Sequence, residues 1–162
     1  MNNKLLMTMI EYYQGDPMRI QHFIKVYQFS KMIGELEGLD FNEQYILETA
    51  AIVHDIGIKA AEEKYGKSNG IYQEELGPDI ANKMLSELGY HQDVIDRVGY
   101  LVGHHHTYTN IEGLDYQILV EADFLVNIYE DNISRQAGIN ALNKIFKTKT
   151  GIHICKTMFE MG

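Results

Sequence analysis

Apolar residues recur along this chain at intervals of three and four, interrupted by short Gly, Asn and Asp punctuation. The rhythm predicts a succession of amphipathic helices. Residues 3–13 form the first, which ends before Gly15, Asp16 and Pro17. Asp16 is placed to cap a second helix, with Pro17 in its first position, where a missing N–H costs nothing. Gly38 stops that helix after Glu37. Within it Val26, Phe29 and Ile33 follow His22 on one face, and Arg19 lies one turn earlier. Asp40, with Glu43 three residues later, caps a third helix that runs to Gly57. Residues 62–73, EEKYGKSNGIYQ, lose the periodicity and read as a loop or short broken helix. Further helices are expected from Pro78-Asp79 to Gly89, from Gln92 to His105 and from Leu114 to Tyr129, with one or two more over 133–160. No stretch alternates with the period of two that marks a half-buried strand. The expected fold class is all-α: one domain, a helical bundle of about seven to eight helices.

Three apolar stretches carry groups that are costly to bury. They are His22 in RIQHFIKVYQF, the adjacent His54 and Asp55 in AIVHDIGIK, and Asp123 in ILVEADFLVNIYE. An unpaired buried charge loses its hydration, so such groups are paired or bind a metal. Each has a plain structural explanation. A lone histidine on an apolar face is commonly a hydrogen-bonded core residue, and Asp123 could pair with Arg97 or Lys25. Taken together they form a sulfur-free imidazole and carboxylate set, suited to Mn, Fe, Ni, Co, Zn or Mg, and facing helices of a bundle can converge such a set on one ion. His54 and Asp55 diverge by about 100° on a regular helix, so a shared ion must lie between their directions. His104, His105 and His106 are consecutive, and at most two of the three can serve one site. A solvated helix end, where histidine suits the negative end of the dipole, explains them equally.

Composition narrows the field. The chain has 162 residues, 45% hydrophobic and 23% charged, as in ordinary globular proteins. Asp plus Glu total 23 against 14 Lys plus Arg, a formal charge of −9, so the basic footprint of a nucleic-acid or anionic-membrane binder is missing. Cys155 is the sole cysteine, which rules out an internal disulfide and disfavours a thiolate zinc site. No apolar run approaches the ~20 residues of a membrane span, and the first residues lack the pattern of a signal peptide. The expectation is a cytoplasmic protein.

The order His22, His54-Asp55, Asp123, with Arg19 opening an R-x-x-H and HDIG at 54–57, resembles the HD-domain superfamily of metal-dependent phosphohydrolases. The resemblance implies an HD-type helical core over about 16–131, with the N-terminal and C-terminal helices packed on it. It implies that His22, His54, Asp55 and Asp123 hold one divalent ion. In binuclear members a His-His pair helps bind a second, and here that pair is His104 and His105, or in the alternative register His105 and His106. Those members carry another histidine between the dipeptide and the pair. This chain has YQEELGPDIA there, so either Glu74 or Glu75 substitutes or the second site is absent or weak. The lysine of HDIGK is displaced: Ile58 holds its place and Lys59 follows. No GYP motif is present, which disfavours cyclic-dinucleotide hydrolysis. The implied activity is metal-dependent hydrolysis of a small phosphoester such as a nucleotide, with Asp55 orienting the water and Arg19 contacting phosphate. Two other readings are an HD-fold di-iron oxygenase and a non-catalytic binding module with a structural metal or none. A homo-oligomer is compatible with either.

Overall fold

A computed structural model describes residues 1–162 as nine helices without strands. The first five are α1 (Asn2–Tyr12), α2 (Pro17–Glu37), α3 (Phe41–Val53), α4 (Gly57–Tyr65) and α5 (Gly70–Glu87). The remainder are α6 (Gln92–Val102), α7 (Leu114–Glu130), α8 (Arg135–Ile145) and α9 (Lys149–Met158). No helix is long and apolar enough to cross a membrane.

The expected caps are formed. The Asp16 carboxylate accepts the Arg19 N–H at 3.2 Å, and that of Asp40 accepts the Glu43 N–H at 2.8 Å. Each satisfies a donor that the first turn leaves without a partner. Gly38 closes α2 in the left-handed conformation, φ 79°. Burial then assembles the bundle. α7 is buried along most of its length and packs against α2, α3, α8 and α9. Phe23, Val26 and Ile33 of α2, Leu47 and Ile52 of α3, and Leu119 and Leu125 of α7 share one core.

Four boundaries differ from the sequence expectation. The third helix does not reach Gly57; it ends at Val53, and residues 54–56 form a tight turn, with Ile56 N–H bonded to Val53 O and Ile58 N–H to Asp55 O. The segment expected as a loop is helical through Tyr65 (Ala60, Ala61, Glu62 and Glu63 all favour helix), and only residues 66–69 connect it to α5. α5 begins at Gly70, which leaves Pro78 inside the helix rather than at its start. Its first half is held by close packing: a Cβ on Gly57 would stand 2.7 Å from Gln73 O and 3.0 Å from Gly77 N, so α4 and α5 meet backbone to backbone. Finally, α6 stops at Val102 and leaves the three histidines in the following turn. The extra helix α4 is what raises the count to nine.

Candidate metal centre

His54 and Asp55 lie in the turn at 54–56, where the helical ladder gives way to i→i−3 bonds. Both face the point where α2 and α7 approach α3. The Tyr13 hydroxyl donates to the Asp55 carbonyl at 2.7 Å and anchors the turn to the end of α1. At that point His22 Nε2 lies 3.2 Å from His54 Nε2, 3.1 Å from Asp55 Oδ2 and 3.2 Å from Asp123 Oδ1. His54 Nε2 is 3.4 Å from each of the same two carboxylate oxygens. An ion bonded at about 2.0–2.2 Å to N and O donors separates adjacent donors by roughly 3.0–3.5 Å. The spacing therefore fits a first-row divalent ion or magnesium.

Tautomers strengthen the fit. The Nδ1–H of His54 donates to Ala51 O at 2.7 Å, and that of His22 to Glu130 Oε1 at 2.7 Å. Both rings thus turn an Nε2 lone pair inward. His105 does the same: its Nδ1–H donates to Val102 O at 2.8 Å. Its Nε2 is buried without a hydrogen bond, 3.3 Å from Asp55 Oδ1. Three imidazole lone pairs and two carboxylates converge with no donor among them. Such a set demands a cation or a proton.

The electrostatics say the same. Burial opposes charge on His22, but the Asp123 and Asp55 carboxylates outweigh it and push the imidazole up to about 11. His54 is also raised against its burial, by Asp55 and Asp123. Burial works against ionisation of Asp55 and Asp123, yet the facing imidazoles hold both below the ordinary carboxylate range.

A second donor group comprises Asp55, His105 and His106. The geometry selects the register His105 and His106 over His104 and His105. His104 turns away, stacks on Tyr100 at 4.0 Å between centroids and bonds Tyr100 O through Nδ1. A stacking aromatic four residues earlier decides its direction. Neither Glu74 nor Glu75 joins the group. Glu74 accepts the Thr107 hydroxyl at 2.9 Å and the His106 N–H at 3.3 Å, bracing the turn. Glu75 accepts from the Tyr65 hydroxyl at 2.8 Å. Lys59 points elsewhere, toward Tyr12 O at 3.4 Å and over the Tyr12 ring.

Arg19 is ion-paired with Glu62 and, at 3.3 Å, with Asp16. It borders a cavity of about 140 Å³ that opens on His22 and Asp55 and is also lined by Asn127, Glu130 and Asp131. The pairings suggested for Asp123 do not form. Arg97 bonds Asp115 at 2.7 and 2.9 Å, and Lys25 pairs with Glu130.

Several residues of the site escaped the sequence reading. Asn127 donates to Asp123 Oδ1 at 3.1 Å, and Glu130 holds His22. Both follow Asp123 at helical offsets of four and seven, a periodicity that polar residues on α7 display as plainly as apolar ones. Gln73 bonds His106, and Tyr108 stands beside it; no spacing in the sequence links them.

The HD domain model matches residues 19–142. The crystal structure of a predicted HD superfamily hydrolase from an uncultured Thermotogales bacterium superposes with a TM-score of 0.69 at 23% identity, covering 98% of this chain and 85% of that one. That likeness is one of fold. No curated protein matches the sequence. With the match to the family model spanning most of its length, the chain belongs to the HD domain family.

Proposed function

We propose that this chain is a metal-dependent phosphohydrolase acting on a small phosphoester such as a nucleotide, in the cytoplasm. One observation supports it above the rest: the convergence of His22, His54, Asp55 and Asp123 as mutually close lone-pair donors beneath an open cavity. These four residues would hold a divalent ion, whose contribution would be to acidify water and to polarise a phosphoryl oxygen. The other roles belong to the chain. Glu130 and Ala51 O fix the two ring tautomers, so both imidazoles keep their lone pairs inward. Asp55 offers Oδ2 to His22 and His54 and Oδ1 to His105, which places one carboxylate against both donor groups and suits it to orient the attacking water. Arg19, at the cavity edge, presents a planar fork that pairs two phosphoryl oxygens, exchanging Glu62 for substrate. The cavity has room for a phosphoryl group, and the remainder of the substrate would lie along the surface.

Metal analysis of the purified protein, paired with a phosphate-release screen over nucleotides and generic phosphoesters, tests the proposal. Transition metal at one or two equivalents, with release abolished by chelation, supports it. Bound iron without phosphate release points to the oxygenase. Neither metal nor release after adding Mn, Co, Ni or Mg leaves a binding module.

A further inference from the structure

The two candidate ligands of the second donor group are not equally free. His105, 1% exposed, has an Nε2 with no hydrogen-bond partner. His106 has both nitrogens engaged: Nε2 contacts Gln73 Oε1 at 2.9 Å, and Nδ1 lies 3.4 Å from the Tyr108 hydroxyl. The Gln73 carboxamide cannot turn to change this. It is 8% exposed, and its Nε2–H donates to Ser68 O at 2.7 Å, which fixes Oε1 as the atom facing His106. An oxygen that accepts requires a ring nitrogen that donates, so His106 carries its proton on Nε2. The ring is packed closely on one side. A Cβ on Gly70 would stand 2.9 Å from the ring's Cγ, so the first turn of α5 lies directly on it.

Resting on the metal reading above, we propose that Gln73 withholds His106 from ion binding, so that the chain holds two ions with unequal affinity. The tight site is the His22, His54, Asp55 and Asp123 set. The weak one has only Asp55 Oδ1 and His105 Nε2 as ready donors. It recruits His106 Nε2 only by breaking the Gln73 bond and passing to the other neutral tautomer, with the ring proton on Nδ1 facing the Tyr108 hydroxyl oxygen. Gln73 thereby sets the concentration of metal at which the second site fills.

Titration of the full chain with Mn²⁺, with free ion followed by electron paramagnetic resonance, tests this. The wild-type protein is expected to bind one ion at least about tenfold more tightly than the second. Gln73→Met keeps the length of the side chain and removes its acceptor. It should tighten the second site about tenfold and leave the first unmoved. Gln73→Ala should act in the same direction, and circular dichroism checks that both variants fold. A second site that is unmoved in both variants, or weakened because Gln73 Oε1 is itself a donor to the ion, overturns the proposal. So do two equally tight sites in the wild type. Absence of any tight Mn²⁺ site instead overturns the metal reading beneath it.

Discussion

The two donor groups share Asp55 and differ in almost everything else. The first draws His22 from α2, His54 from the turn that ends α3 and Asp123 from α7, and the three helices pack against one another through the core. Its five measured donor separations lie between 3.1 and 3.4 Å, and each histidine is aimed by a second bond through Nδ1. The second draws His105 and His106 from the turn after α6, braced by Glu74 and the first turns of α5. There one ring offers a lone pair and the other is tethered. Ligand identity alone does not make a site. The difference lies in which nitrogen of each ring is engaged: Nδ1 in His22, His54 and His105, and Nε2 itself in His106.

Asp55→Ala breaks the comparison most completely, since Asp55 is the one residue in both groups. It should abolish metal binding at both and lower hydrolysis by on the order of 10³-fold, with helical circular dichroism retained. His105→Ala should empty the second group alone. Full activity in the Asp55 variant would refute the assigned centre.

Acidity sharpens the comparison next. Asp55 and Asp123 are held below the ordinary carboxylate range, so in the metal-free protein their contribution to stability is present above that range and is lost as pH falls through it. His22 is raised to about 11, so its contribution is fully present below 6.5 and is lost as pH rises from there through about 11. An ion at the first group must displace that proton. Its apparent affinity should therefore rise about tenfold per pH unit over this window, with about one proton released on binding. Calorimetry in buffers of different ionisation enthalpy measures the proton directly. A pH-independent affinity would mean that His22 is already neutral without metal.

Helix positions and caps were legible in the sequence because they are local. The Asp16-Pro17 start, the Gly38 stop and the apolar face of His22 each depend on residues a few positions apart. The break at 54–56 was not, because its anchor, Tyr13, lies 42 residues away. Spacing alone does not separate Asp123, which the resemblance singles out, from Glu121, a second buried carboxylate in the same apolar run. Glu121 faces the N–H groups of Lys147 and Thr148, the Thr148 hydroxyl and the Gln117 amide, and it serves as a bracket for the start of α9. Asp123 faces imidazoles. Whether a buried carboxylate meets donors or acceptors is decided by tertiary packing, which no spacing within α7 records. The choice between the two registers of the histidine run was also out of reach, because only the fold of the turn after α6 shows that Tyr100 takes His104 as a stacking partner.

Glu130→Gln tests what the second bond is worth. The amide retains an oxygen able to accept from His22 Nδ1 but loses the charge that strengthens that bond. Affinity at the first group should fall by roughly 10- to 100-fold, while the second group, which Glu130 does not touch, keeps its own. An unchanged first-site affinity would reduce Glu130 to a partner of Lys25.

The smallest effect is the most discriminating for the register of the histidine run. His104 spends Nδ1 on Tyr100 O and its ring face on the Tyr100 ring, and it is absent from both donor groups. His104→Ala removes an exposed stack and one hydrogen bond at the end of α6. It should change stability by no more than about 1 kcal/mol, within the range of an ordinary surface contact, and should leave metal stoichiometry and phosphate release where they were. The neighbouring His105→Ala, one residue further along, should lose the second ion. If His104→Ala also lost the second ion, the turn after α6 would have to present its rings in the other register, with His104 and His105 on the site. A silent His105→Ala would instead leave the unpartnered Nε2 of His105 without a use, and a buried lone pair left facing a carboxylate is a cost that folded chains rarely retain.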